Sequence, residues 1–266
     1  MDADGGKEAF LTTLKTKLSI GANAKVRLFA HSVSPHPAGG TAGNYRFTVN
    51  SQQVANHTPV SAATPAARTH FSSPSSNIDI VAIGASTGGT EAILEVVRQF
   101  PARMPGIVIT QHMPPGFTSM YAERLNRLCN LEVKEASHGD KVLPGRILLA
   151  PGGLQMRVVR LGSGYSVSCT DEDKVSGHRP SVDVLFTSVA ANVKQRAIGV
   201  ILTGMGADGA AGLLRMRKAG AYTIGQDRET CVVYGMPMEA YKIGAVCQQA
   251  ALSTIPQVVM AQLAKG

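Results

Sequence analysis

A chain of 266 residues with 44% hydrophobic side chains carries enough apolar material for one large domain or two small ones. No apolar run approaches the roughly 18 residues of a membrane span, and the opening Met-Asp-Ala-Asp-Gly-Gly lacks the basic-then-apolar order of a signal peptide, so a cytoplasmic protein with no direct membrane insertion is expected. The formal charge of +8 is spread without a dense basic block, tryptophan is absent and aromatics reach only 5%, which argues against nucleic acid as a partner and leaves an acidic protein surface as the better one.

Cys129, Cys169, Cys231 and Cys247 stand in apolar segments without a Cys-x-x-Cys pair. They read as reduced core residues, with no metal site and no disulfide framework expected. Phe10, Leu11, Leu14 and Leu18 recur at helical spacing among Lys7, Lys15, Lys17, Lys25 and Arg27, which predicts an amphipathic basic helix over 1–29. Over 30–77 the composition shifts to Ser, Thr, Pro, Ala, Gly, Asn and His, too poor in large apolar groups to fold alone, and predicts a flexible linker. His31, His36, His57 and His70 fall there without regular ligand spacing. A folded domain is expected over 78–266.

That domain opens on Ile78, Ile80, Val81 and Ile83, a β-branched run suited to a strand buried on both faces, which Gly84 stops. Ile93, Val96, Val97 and Phe100 then follow at helical spacing. Between them, Gly84-Ala85-Ser86-Thr87-Gly88 fits G-x-S-x-G, whose small neighbours let a serine stand exposed at a strand's carboxyl end. Ser86 is a candidate nucleophile, although a Gly-rich strand-to-helix turn also suits phosphate binding.

A second buried strand over 106–110 ends in Gln111-His112-Met113-Pro114-Pro115-Gly116, and the prolines forbid its continuation. Phe117, Met120, Tyr121, Leu125 and Leu128 mark the next helix, so His112 lies at the same sheet edge as Ser86. Strands are expected over 131–136 and 146–150, and 156–161 with 165–169 read as a hairpin around Gly162-Ser163-Gly164. His178 and Arg179 precede a helix carrying Val182, Leu185, Phe186, Val189 and Val193, where they are solvated flanking residues or face a substrate.

The strand over 198–202 runs into Thr203-Gly204-Met205-Gly206-Ala207-Asp208-Gly209 and a helix with Leu213, Leu214 and Met216. Asp208 at that edge is a candidate to orient His112. Strands over 222–225 and 231–234, a short helix after Met236-Pro237 and a final helix over 255–263 complete the pattern. The fold class is α/β: a doubly wound, mostly parallel sheet flanked by helices, with an antiparallel hairpin addition.

Two functional readings compete for these turns. Gly204-Met205-Gly206-Ala207-Asp208-Gly209 is G-x-G-x-x-G after a strand, with Asp227 downstream, as in a dinucleotide- or phosphate-binding loop. Against it, the Asp208 carboxylate would oppose bound phosphates. A hydrolase uses all three turns: Ser86 as nucleophile, His112 as base and then acid, Asp208 to hold the imidazole, and backbone N–H groups at Met205 and Thr87 as an oxyanion hole. It needs no cofactor.

Gly84-Ala85-Ser86-Thr87-Gly88-Gly89-Thr90-Glu91, Thr110-Gln111-His112-Met113-Pro114-Pro115-Gly116-Phe117, His178-Arg179-Pro180-Ser181-Val182-Asp183 and Leu202-Thr203-Gly204-Met205-Gly206-Ala207-Asp208-Gly209 together resemble the CheB family of chemotaxis protein-glutamate methylesterases. The resemblance covers about 78–264. It implies a doubly wound catalytic domain with a Ser86-His112-Asp208 triad and the Met205 amide in the oxyanion hole. It also implies hydrolysis of γ-glutamyl methyl esters on chemoreceptors, which are acidic helical bundles, and deamidation of receptor glutamines. Members of the family carry a phosphorylatable receiver domain, of which 1–77 shows no trace, so an esterase indifferent to phosphodonors is expected.

Overall fold

The computed structural model describes residues 77–265. The helix expected over 1–29 and all but the last residue of the linker expected over 30–77 lie outside them. In chain order the strands are β1 (Ile80–Ala85), β2 (Gly106–Gln111), β3 (Glu132–Glu135), β4 (Arg146–Leu149), β5 (Gln155–Leu161), β6 (Gly164–Thr170), β7 (Ala197–Ile201), β8 (Tyr222–Gln226) and β9 (Gln248–Ala250). The helices are α1 (Gly89–Val97), α2 (Phe117–Leu128), α3 (Val182–Asn192), α4 (Ala210–Lys218), α5 (Met236–Lys242) and α6 (Ile255–Leu263).

Every residue of β1, β2 and β7 is buried, which is why these strands read as unbroken apolar runs. They form the middle of a seven-stranded sheet in the order β3-β4-β2-β1-β7-β8-β9, with all pairs parallel. Successive side chains of β1 alternate between two cores. Ile80 and Ala82 meet α3, α4, α5 and the β5–β6 hairpin through residues such as Phe186, Leu213, Met236 and Val158. Val81, Ile83 and Ala85 meet α1, α2 and α6 through Ile93, Leu125 and Val259. Burial of each large aliphatic side chain contributes about 1.5–3 kcal/mol, so both helical layers clamp the central strands.

The antiparallel hairpin is present as expected, as a separate two-stranded sheet. Three details differ from the sequence expectation. No strand forms over 231–234, where Tyr234 makes only an isolated bridge to Gly204. That segment directs its backbone to a neighbouring loop: Val233 N donates to Thr203 Oγ1 at 2.9 Å, and Gly204 N donates to Val233 O at 3.0 Å. The last strand is instead β9, too short and too polar to show a period. On α2, Tyr121 and Leu125 are buried while Phe117 and Met120 are 53% and 57% exposed, so the apolar stripe is only partly covered. Of the cysteines, all free, Cys169 alone is buried and Cys247 is exposed, which corrects their reading as core residues. Among the described residues no helix is long and apolar enough to cross a membrane.

Candidate active site

Strand order reverses at β1, which has β2 on one side and β7 on the other. Loops leaving the carboxyl ends of these strands diverge there and open a crevice. Ser86 follows β1, His112 follows β2, and Asp208 lies between β7 and α4. The β1–β2 register pairs Ala85 with Gln111, and His112 N donates to Ala85 O at 3.2 Å. Ser86 and His112 therefore occupy the next rung, on strands spaced about 4.8 Å apart.

His112 and Asp208 are joined directly, Nε2 to Oδ2 at 2.7 Å, with side chains only 8% and 1% exposed. Asp208 is held by more than the imidazole. Its Oδ1 accepts from Ser181 Oγ at 2.7 Å and Asp183 N at 3.0 Å, and Oδ2 also accepts from Val182 N at 2.7 Å. These partners form the N-terminus of α3, where the helix dipole favours negative charge. Burial pushes the Asp208 carboxyl up, but the bonds from His112, Ser181 and the two amides outweigh it and hold the group below the usual aspartate range. An ionised carboxylate can only accept, so Nε2 carries the proton and Nδ1 of neutral His112 is left a bare acceptor. That Nδ1 is buried and has no hydrogen-bond partner among the described residues.

Ser86 N donates to Thr203 O at 3.0 Å, which ties the β1 turn to the β7 turn. The turns touch so closely that a Cβ on Gly204 would sit 2.9 Å from Ser86 Cβ. Gly88, at φ 79°, adopts the left-handed conformation that starts α1. No hydrogen bond joins Ser86 Oγ to His112 in this structure; such contacts are commonly long before substrate binds. Ser181, the serine that contacts Asp208, is fully buried and already donates its hydroxyl, so it serves as the cap of α3. The sequence reading passed over this residue, although a serine directly before an apolar helical run is a recognisable cap signal.

His178 lies flat on His112, ring centroids 3.7 Å apart and 9° from parallel. Arg179 points elsewhere, paired with Asp171 and donating to Glu172 O at 2.7 Å. Ligand atoms of His112, His178 and Asp208 lie within 4.8 Å of one another. Nitrogen lone pairs lie in the ring plane, however, so stacked rings present them side by side and do not converge on one ion. Asp208, moreover, already serves four donors.

The dinucleotide reading meets an occupied helix start. Gly212 N in the first turn of α4 donates to Asp183 Oδ1 at 2.6 Å, in the position a phosphate oxygen would need. Asp183 and Asp208 are also close enough for burial and then the neighbouring charge to raise the Asp183 carboxyl. A pyrophosphate would meet both.

A profile of the CheB methylesterase family matches residues 81–259. A protein-glutamate methylesterase/protein-glutamine glutaminase of Syntrophotalea carbinolica is 56% identical over 181 residues, covering 68% of this chain and 51% of that protein. The Escherichia coli K12 protein of the same name is 50% identical over 220 residues, 82% of this chain and 62% of that one. The chain thus spans little more than half the length of these relatives. The crystal structure of the Thermotoga maritima CheB methylesterase catalytic domain superposes with a TM-score of 0.68 at 36% identity, covering 69% of this chain and 98% of that domain.

Proposed function

Since the chain belongs to the CheB methylesterase family, we propose that it hydrolyses γ-glutamyl methyl esters on chemoreceptors and deamidates receptor glutamines, with Ser86 as nucleophile. His112 Nδ1 takes the hydroxyl proton as Ser86 Oγ attacks the ester carbonyl. Thr87 N–H and Met205 N–H stabilise the oxyanion, and Asp208 stabilises the imidazolium. Collapse of the tetrahedral intermediate returns the proton to the leaving group, giving methanol from an ester or ammonia from an amide. Water then repeats the cycle and frees the glutamate. His178 forms one wall of the cleft, and Arg179 anchors that wall to the 171–173 loop. The substrate is an acidic helical surface of a cytoplasmic receptor region.

The observation that carries this reading is the 2.7 Å bond from His112 Nε2 to Asp208, which leaves Nδ1 as a proton acceptor on a residue that shares its rung with Ser86. Methanol release from a methylated receptor fragment tests it, comparing the intact chain with Ser86→Ala. The substitution should abolish release without lowering Tm. A Ser86→Ala/His112→Gln double variant should be little worse than either single one, because a triad acts as a unit. Release that survives Ser86→Ala would overturn the assignment.

A further inference from the structure

An oxyanion hole is only as good as the orientation of its N–H groups, and each peptide here is held from behind. The Ser86 carbonyl accepts from Gly89 N at 2.8 Å and from Gln111 Nε2 at 2.9 Å. The Gly204 carbonyl accepts from Gly235 N at 3.0 Å and Met236 N at 2.8 Å. Because a trans peptide is planar, pinning its carbonyl turns the N–H of the following residue to the opposite side. Those following residues are Thr87 and Met205, and neither amide donates to any acceptor among the described residues.

Three of the four pins are backbone amides; the fourth is a side chain that the sequence reading did not single out. Gln111 ends β2 and is 3% exposed. Its amide nitrogen also donates to His112 O at 3.2 Å, so its two protons join the backbone of the serine to that of the histidine. Its Oε1, buried without a hydrogen-bond partner, lies over Gly89, where any Cβ would collide with it. A glutamine buried with one end unpaired is costly to keep, and what it supplies is the donor pair.

We propose that Gln111 is a positioning residue of the hydrolase: it locks the Ser86–Thr87 peptide so that Thr87 N–H faces the developing oxyanion, and it fixes the spacing of Ser86 from His112. This rests on the hydrolase reading above. Gln111→Met keeps the volume and removes both donors. Gln111→Glu keeps the shape but, when ionised, sets an acceptor against two carbonyls. It regains one donor when protonated, a form that burial favours.

The test measures methanol release from a methylated receptor fragment by the full chain and both variants across pH, with Tm recorded for each. The expected result is a loss of about ten- to a hundredfold in kcat for Gln111→Met, the scale of a small misplacement, with KM changed by less than about twofold. For Gln111→Glu, the rate relative to wild type should rise as pH falls. A merely structural residue would lower Tm without a kcat-specific loss or this pH signature. Wild-type kcat in a folded Gln111→Met overturns the inference alone. If that variant does not melt cooperatively, a pH-independent ratio for Gln111→Glu overturns it. Absence of methanol release by the wild-type chain overturns the hydrolase reading, and this inference with it.

Discussion

Four donors converge on the Asp208 carboxylate, and an amide in its place could satisfy only part of them. In Asp208→Asn the new NH2 either faces the Val182 and His112 donors or faces those of Ser181 and Asp183. Leaving one buried donor unmet costs about 1–3 kcal/mol, a fall of a few degrees in Tm for a domain of this size. If the NH2 faces His112 it donates to Nε2, drives the proton to Nδ1 and removes the base. Methanol release should fall roughly 10⁴-fold, leaving more residual activity than Ser86→Ala. Calorimetry and the release assay check the two parts. Because Asp208 titrates below its unfolded value, its stabilisation is fully present above the ordinary aspartate pKa of about 3.9 and is lost as pH falls through the lower folded value. Wild-type Tm should therefore drop more steeply than that of Asp208→Asn below about pH 4. Parallel acid melts of the two proteins would refute this.

At the scale of elements, what the sequence made legible was whatever one local pattern encodes. The runs of β1, β2 and β7 are fully buried, so they stand out as apolar stretches, and Ser86, His112 and Asp208 could be placed at one edge because each run stops at a turn. Residues whose meaning lies in a distant partner stayed hidden. Ser181, Gln111 and Thr203 are buried polar groups bonded across 25 or more positions in the chain, to Asp208, Ser86 and Thr87. The loop over 231–234 resembled a strand because its valines are β-branched, whereas its hydrogen bonds go to the Thr203 turn. The placement of α3 was equally invisible. It rests in notches left by glycines: a Cβ on Gly84 would overlap Val182 Cγ1, and one on Gly212 would lie 2.7 Å from Phe186 Cβ. Val182 is also an Asp208 donor, so pushing α3 outward loosens the carboxylate. Gly84→Ala should lower stability by about 1–3 kcal/mol through overpacking and lower kcat as well. Chemical denaturation alongside the release assay checks both, and an unchanged kcat would show that the carboxylate tolerates movement of its helix.

The molecule as a whole commits the crevice above β1, β2 and β7 to one kind of ligand. In an open parallel sheet that crevice is where a nucleotide would also bind, so the two readings of the sequence compete for a single place. Electrostatics and hydrogen bonding both decide against phosphates. The first-turn amide of Gly212 is already given to Asp183, and the Asp208 carboxylate stands directly before α4. A dinucleotide would have to displace one carboxylate and tolerate another within a few ångströms, where like charges repel strongly at reduced dielectric. A neutral ester or amide meets no such opposition, since it becomes charged only in the transition state, where the proposed Thr87 N–H and Met205 N–H donors would face it. Nicotinamide and adenine dinucleotides should therefore leave Tm unchanged up to millimolar concentration, because any ligand that binds only the folded state must raise it. Isothermal titration provides the second readout. A saturable heat with a matching Tm shift would assign the Gly204–Gly209 loop to a cofactor and return Asp208 to the role of a loop residue.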